Sequence, residues 1–151
     1  MDKSQTKFAF YEWSKLLTFS RSGDATPYLG PGWGEPEAGQ TWTDGINASL
    51  QMRVTPPASD VALVLSCTPF LAEGKIPHQE LTVFVNFLRV GCVLVGGPRE
   101  IEVNIPKWVF KETQLHIDFY LPNAASPKTL GIGSDARRLG LAVNRMMMTL
   151  I

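Results

Sequence analysis

The sequence predicts an all-β fold, an antiparallel two-sheet sandwich of jelly-roll type with eight or nine strands. Apolar and polar residues alternate with a period of two in at least five separate segments, as half-buried strands require. Gly, Pro, Asn and Asp lie between those segments and supply the turns. Helical patterns do not alternate with the strands, which argues against a parallel sheet.

The individual strands follow from this alternation. In residues 46–54, Ile46, Leu50 and Val54 point to one side while Asn47 and Arg53 point to the other. The further predicted strands are 61–68, 81–88, 90–95, 100–105, 114–121 and 139–151. Residues 8–13 and 15–20 are predicted to form a strand pair or one bent strand. Residues 106–111 and 134–138 carry the only helical signals, each a short turn.

Length and composition limit the class of protein. The 151 residues suit a single domain spanning 1–151, with 44% hydrophobic and 19% charged residues. Lys+Arg and Asp+Glu both number 14, so the chain lacks the basic field that nucleic acid binding requires. No apolar run reaches the ~20 residues that span a bilayer, so no membrane insertion is expected. No signal peptide is recognisable, which predicts a cytoplasmic location unless the chain derives from a larger protein.

Cys67 and Cys92 are the two cysteines, and both lie in apolar strand-like runs. We expect both to be buried free thiols. A disulfide between them stays open if the domain is exported.

Two segments interrupt the strand pattern. Residues 25–45 and 122–138 are rich in Gly and Pro, and the first of them holds Trp33 and Trp42. Long irregular segments inside compact domains are usually either functional or tightly packed.

These segments also carry a resemblance to a known domain. The ordered motifs are GWGEPEAGQTWTDG (32–45), DVALVLSCTPFL (60–71), LTVFVNFLRVG (81–91) and FYLPNAASPKTLGIGSDARRLGLAV (119–143). Together they resemble a β-sandwich domain of largely unknown function that is attached to bacterial glycosyltransferases and other polysaccharide-assembly proteins. The chain departs from that pattern at Phe87, where the family has a small turn residue. The resemblance implies a context of bacterial glycan synthesis.

Residues 32–45, called the Trp loop below, together with nearby positions suggest a sugar-binding site. The candidate ligand-binding residues are Tyr28, Trp33, Glu35, Trp42, Asp44 and Asn47. Aromatic faces can cover sugar C–H groups while acids and amides bind the hydroxyls. The alternative is that the tryptophans plug one end of the sandwich.

A second set of charged residues predicts a structural network. We expect Asp135, Arg137 and Arg138 to pair with Glu35 or Asp44 and so tie the two irregular segments together. Arg138 in particular is predicted to bind a carboxylate of the Trp loop.

The sequence gives less support to the hypothesis that the protein is an enzyme. A glycoside hydrolase acid pair formed by Glu35 with Glu37 or Asp44 is the minor alternative. Its two carboxyl groups must lie about 5–9 Å apart across a cleft, and a sandwich of 151 residues has little room for one. No G-x-S-x-G motif occurs, and His78 and His116 are the only histidines. Two lone histidines and two strand cysteines do not make a zinc site, so we expect no metal, no other cofactor and no catalytic residue.

The sequence therefore predicts a non-catalytic carbohydrate- or polysaccharide-binding module linked to bacterial glycan synthesis. The alternative is an interaction or scaffolding domain that docks a glycosyltransferase or associates with itself.

Overall fold

The computed structural model describes residues 8–151 and contains two antiparallel sheets, as predicted. Residues 1–7, which the single-domain prediction includes, lie outside the described residues. In chain order the strands are β1 (Leu17–Thr18), β2 (Thr41–Asp44), β3 (Asn47–Arg53), β4 (Val61–Pro69), β5 (Gln79–Val85), β6 (Leu88–Val95), β7 (Arg99–Ile105), β8 (Gln114–Tyr120) and β9 (Leu139–Leu150). The nine strands in this part of the chain confirm the predicted sandwich.

The larger sheet has five strands and is organised around β9. Its order is β1-β9-β4-β7, and β2 pairs with β9 as well. β9 can bind β4 along one side and both short strands along the other because it is 12 residues long. The smaller sheet has the order β3-β8-β5-β6.

The core lies between the two sheets and is supplied by alternate residues of each strand. Ala48, Leu50 and Met52 of β3 are buried, and so are Leu115 and Ile117 of the neighbouring β8. The residues between them point away from the core, as the period of two predicts. The smaller sheet therefore has one apolar face against the core and one polar face outside it.

The N-terminal strand pair is not formed in the described residues. Phe10 bridges Arg53 of the smaller sheet, whereas Leu17 and Thr18 pair with β9 of the larger sheet. The segment passes from one sheet to the other, so its two halves cannot pair with each other.

Between residues 8 and 151 the helical content is limited to three short 3-10 turns at Thr26–Tyr28, Ala72–Gly74 and Lys107–Val109. The last of these lies within the predicted turn 106–111. Residues 134–138 form no helix, because the Asp135 carboxylate accepts the backbone N–H of Arg137 at 2.9 Å and holds a tight turn instead.

The two cysteines differ in environment. Cys67 on β4 is buried, and burial raises the pKa of its thiol to about 11. Cys92 on β6 is exposed, so the prediction that both are buried is wrong for Cys92. Cys92 lies on the outer face of the smaller sheet, beside Thr82, and both thiols are free.

Candidate functional site

Two of the predicted aromatic residues are held by the core. Tyr28 is buried, and its hydroxyl donates to the carbonyl of Phe10 at 2.7 Å. The indole of Trp33 packs against Phe19 and Phe119, with ring centroids 5.5 and 6.3 Å away. Its Nε1 donates to the carbonyl of Ser49 at 2.9 Å. Both side chains therefore have structural partners on the core side of the loop.

Trp42 has different neighbours from Trp33. It lies on β2 between two buried threonines, Thr41 and Thr43, and its indole is half-buried with an edge contact to Phe70 at 6.5 Å. The two indoles do not form one joint surface. A ligand contact by Trp42 alone stays a prediction.

The polar candidates of the same region differ in their partners as well. Glu35 is exposed in the loop, and Asp44 accepts the backbone N–H of Arg138 at 3.0 Å. Asn47 begins β3, and its side chain lies on the outer face of the smaller sheet.

The predicted charged network does connect residues 25–45 with residues 122–138, but the contacts are made by the Arg137 side chain and the Arg138 backbone. Arg137 forms a forked contact with Asp135, whose Oδ2 is 2.8 Å from Nη2, and also reaches Glu37 at 3.7 Å. These hydrogen bonds from Arg137 lower the pKa of the Asp135 carboxyl. Arg138 donates through its backbone to Asp44, while its guanidinium Nε donates to the carbonyl of Ala124 at 3.0 Å. The prediction that the Arg138 side chain binds a loop carboxylate is therefore wrong; its backbone and the neighbouring Arg137 make those contacts.

A polar cluster that the sequence did not predict lies on the outer face of the smaller sheet. Asp118 is at its centre, directly opposite Ser49 in the β3–β8 pairing. Its Oδ1 accepts the Ser49 hydroxyl at 2.6 Å and the Asn47 amide at 2.9 Å. Its Oδ2 lies 3.2 Å from Nε2 of His116, two residues away on the same strand. We call these four residues the Asp118 array.

The array keeps its carboxylate charged. Burial raises the pKa of Asp118, but hydrogen bonds from Asn47 and Ser49, together with His116, outweigh it and leave that pKa below its ordinary value. The Asp118 side chain is 13% exposed and that of His116 26% exposed, so both can still be reached from solvent. A carboxylate can accept about four hydrogen bonds. Three partners occupy Asp118, which leaves acceptor capacity for a ligand hydroxyl.

Aromatic rings flank the array at both ends. Tyr120 lies beside it on β8, opposite Asn47 and Thr82, and is 38% exposed. At the other end the ring of Phe87 stacks on the His116 imidazole at 4.9 Å, with 27° between the planes. The four polar groups thus lie between two exposed aromatic side chains. We call this surface, from Tyr120 to Phe87, the binding face.

Sequence reasoning included Asn47 but assigned it to the Trp loop. His116 and Asp118 alternate with the buried residues of β8, and neither is among the ligand-binding residues that the sequence predicts. Ser49 and Asp118 are 69 residues apart in sequence, so only the β3–β8 register brings them together. The available signal was polar alternation in both strands, and it does not say which strands are neighbours.

Comparison with known proteins supports the fold. No protein-family model matches the chain, and no curated protein is similar to it. Among solved structures, the chain is similar to the CBM36-1 domain of a multidomain xylanase from the hindgut metagenome of Trinervitermes trinervoides. The TM-score is 0.52 at 11% identity, over 91% of this chain and 98% of that domain.

The chain is also similar to part of BtGH115A, a family GH115 4-O-methyl-α-glucuronidase with specificity for decorated arabinogalactans. That match has a TM-score of 0.53 at 8% identity and covers 95% of this chain but 18% of the enzyme. At such low identities the likeness shows the β-sandwich fold.

The described residues contain neither a group of metal-binding side chains nor a membrane-spanning helix. Within residues 8–151 no three His, Cys, Asp or Glu side chains are grouped closely enough to hold a metal ion. No helix in the same range is long and apolar enough to cross a membrane.

Proposed function

We propose that this protein is a non-catalytic carbohydrate-binding module that binds glycans along the binding face of its smaller sheet. The observation that carries the proposal is the Asp118 array, a partly exposed, pre-oriented set of polar groups between Tyr120 and Phe87. The similarity of the fold to a carbohydrate-binding module supports it.

The chemistry of the face matches that of a sugar. A pyranose ring has apolar C–H faces, which pack on aromatic rings, and hydroxyls around its edge, which need donors and acceptors. Tyr120 offers the aromatic surface, while Asp118 and Asn47 offer an acceptor and an amide. Because the array is already hydrogen-bonded, little side-chain entropy is lost when a ligand binds.

The same geometry favours binding over catalysis. Asp118 is held ionised at neutral pH by its neighbours, so it cannot be the general acid of a glycoside hydrolase, and none of its hydrogen-bonding partners is a second carboxyl group that could take that role. An ionised carboxylate at the centre of the face also disfavours sugars that carry a carboxylate. We therefore expect neutral glycans to bind better than polyuronates.

The proposal is tested with soluble xylo-, cello-, galacto- and manno-oligosaccharides and a polygalacturonate fragment, by isothermal titration calorimetry. Asp118→Asn and Tyr120→Ala should each weaken binding of the best neutral ligand roughly tenfold or more. Trp42→Ala is the matched control, because it removes a half-buried aromatic from the Trp loop and leaves the binding face intact.

Loss of binding in Trp42→Ala but not in Tyr120→Ala would instead place the site in the Trp loop. No binding by the unaltered protein to any glycan would reject the proposal. The scaffolding alternative and the link to glycosyltransferases and glycan synthesis stay predictions, and sedimentation of the same samples tests self-association.

A further inference from the structure

The hairpin turn between β5 and β6 has an unfavourable backbone conformation. Val85 pairs with Leu88, so Asn86 and Phe87 form a two-residue turn, and their φ angles are +48° and +68°. Turns of this kind favour Asn followed by Gly, because glycine adopts positive φ without steric cost. Asn86 fits this rule. Phe87 does not, since a bulky side chain at positive φ is strained.

Hydrogen bonds to β8 hold the turn in place. The backbone N–H of Asn86 donates to the carbonyl of His116 at 2.7 Å, and the N–H of His116 donates back to Oδ1 of Asn86 at 2.9 Å. The amide of Asn86 also donates to the carbonyl of Val109 at 3.3 Å. Neighbouring structure therefore imposes the conformation of the turn, which is how backbone strain persists in a folded protein.

Packing does not explain the phenylalanine. Its side chain is 76% exposed, so it buries little apolar surface and gains little stability from the core. The ring instead stacks on His116, a member of the Asp118 array. The chain thus carries a solvent-exposed aromatic ring on a strained backbone position at the end of the binding face.

We infer that Phe87 is a ligand-contacting residue, and that its ring forms a second stacking position on the binding face. The inference rests on the proposed carbohydrate binding and adds the class of ligand. His116, on which Phe87 stacks, and Tyr120 are four residues apart on β8, about 13 Å at the rise of a β-strand. Two stacking positions at that separation fit a chain of several sugar rings, so the ligand is an oligosaccharide and not a monosaccharide.

The experiment separates the ring from the strain. Phe87→Gly removes both, Phe87→Ala removes the ring and keeps the strain, and Phe87→Tyr keeps both. Each is titrated with the same neutral oligosaccharides and with the matching monosaccharides, and thermal unfolding is followed in parallel. Glu73→Gly is the matched control, because Glu73 is exposed at φ +56° in a turn at the other end of β5.

We expect Phe87→Gly and Phe87→Ala to weaken oligosaccharide binding roughly tenfold and Phe87→Tyr to retain it. The melting temperature should rise by about 2–4 °C in Phe87→Gly and in Glu73→Gly, and only the former should lose affinity. Monosaccharides should bind weakly to every variant.

Other outcomes count against the inference. If Asp118→Asn loses binding while Phe87→Gly and Phe87→Ala keep it, this inference fails and the proposed function stands. If the unaltered protein binds no glycan, both fail. A change in sedimentation of Phe87→Gly without any sugar would place the ring in a protein interface and overturn the inference as well.

Discussion

The Trp loop and the binding face differ in how their residues are brought together. The Trp loop concentrates aromatic and acidic residues within 32–45, yet its Trp33 faces the core and binds the backbone of β3. The binding face takes residues from 47–49 and 116–120, with Phe87 from a third segment. A high density of suitable side chains in the sequence therefore did not identify the polar surface with the more extensive hydrogen bonding. Pairing between distant strands did.

The largest expected effect tests the structural side of this comparison. Trp33→Ala should lower the free energy of unfolding by about 3–5 kcal/mol, because it leaves a cavity between Phe19 and Phe119 and removes the indole hydrogen bond to the carbonyl of Ser49. Urea unfolding measures the change. Trp108→Ala is the control, since that indole is 62% exposed and its loss should cost less than about 0.5 kcal/mol. Equal, small effects in the two variants would contradict a core role for Trp33.

The next effect tests the binding face without any ligand. Ser49→Ala removes the 2.6 Å hydrogen bond to Asp118. It should lower the free energy of unfolding by about 1.5–3 kcal/mol at neutral pH, because the acceptor is charged. The pKa of Asp118 is lower in the folded protein than its ordinary value of 3.8. The array therefore contributes its full stability above that value and loses it as the pH falls through the folded pKa.

The difference between Ser49→Ala and the unaltered protein should accordingly shrink as the pH is lowered below the ordinary value of 3.8. Urea unfolding at a series of pH values measures it. Ser66→Ala on the other sheet is the control, because its hydroxyl accepts a hydrogen bond from Arg145 and, within the described residues, donates none to a carboxylate. A pH-independent difference for Ser49→Ala would argue against an ionised, hydrogen-bonded Asp118.

The sequence was informative about strands and less so about their neighbours. Alternation is a local property, and it located β3, β4, β7, β8 and β9 to within a residue or two. The hairpin of β5 and β6 was predicted to break near residue 89 but turns at Asn86 and Phe87, because a phenylalanine at positive φ runs against turn preferences.

The candidate site was harder to predict because it depends on register. Asn47 could be named from its position in an alternating strand. Asp118 and Ser49 face each other only because β8 lies between β3 and β5. The neighbours of the two tryptophans were equally hard to predict. Both indoles are partly buried, and nothing local in the sequence indicates that Trp33 packs on Phe19 and Phe119 while Trp42 contacts Phe70.

The smallest effects concern the charged contacts that connect the Trp loop to residues 122–138. Arg137→Ala should lower the free energy of unfolding by at most about 1 kcal/mol, because its pairs with Asp135 and Glu37 are partly exposed to solvent.

Arg138→Ala should lower the free energy of unfolding by about 1 kcal/mol, because it removes the hydrogen bond to the carbonyl of Ala124, and not by the several kcal/mol of a buried ion pair. Salt separates the two, since the screening length falls to roughly 3 Å at about 1 M NaCl and weakens partly exposed ion pairs, whereas a hydrogen bond to a neutral carbonyl is nearly unchanged. Urea unfolding at low and high salt should therefore reduce the effect of Arg137→Ala while that of Arg138→Ala persists. If the cost of Arg138→Ala falls with salt instead, its guanidinium is paired with a carboxylate in solution, and the loop is bound by charge at Arg138 after all.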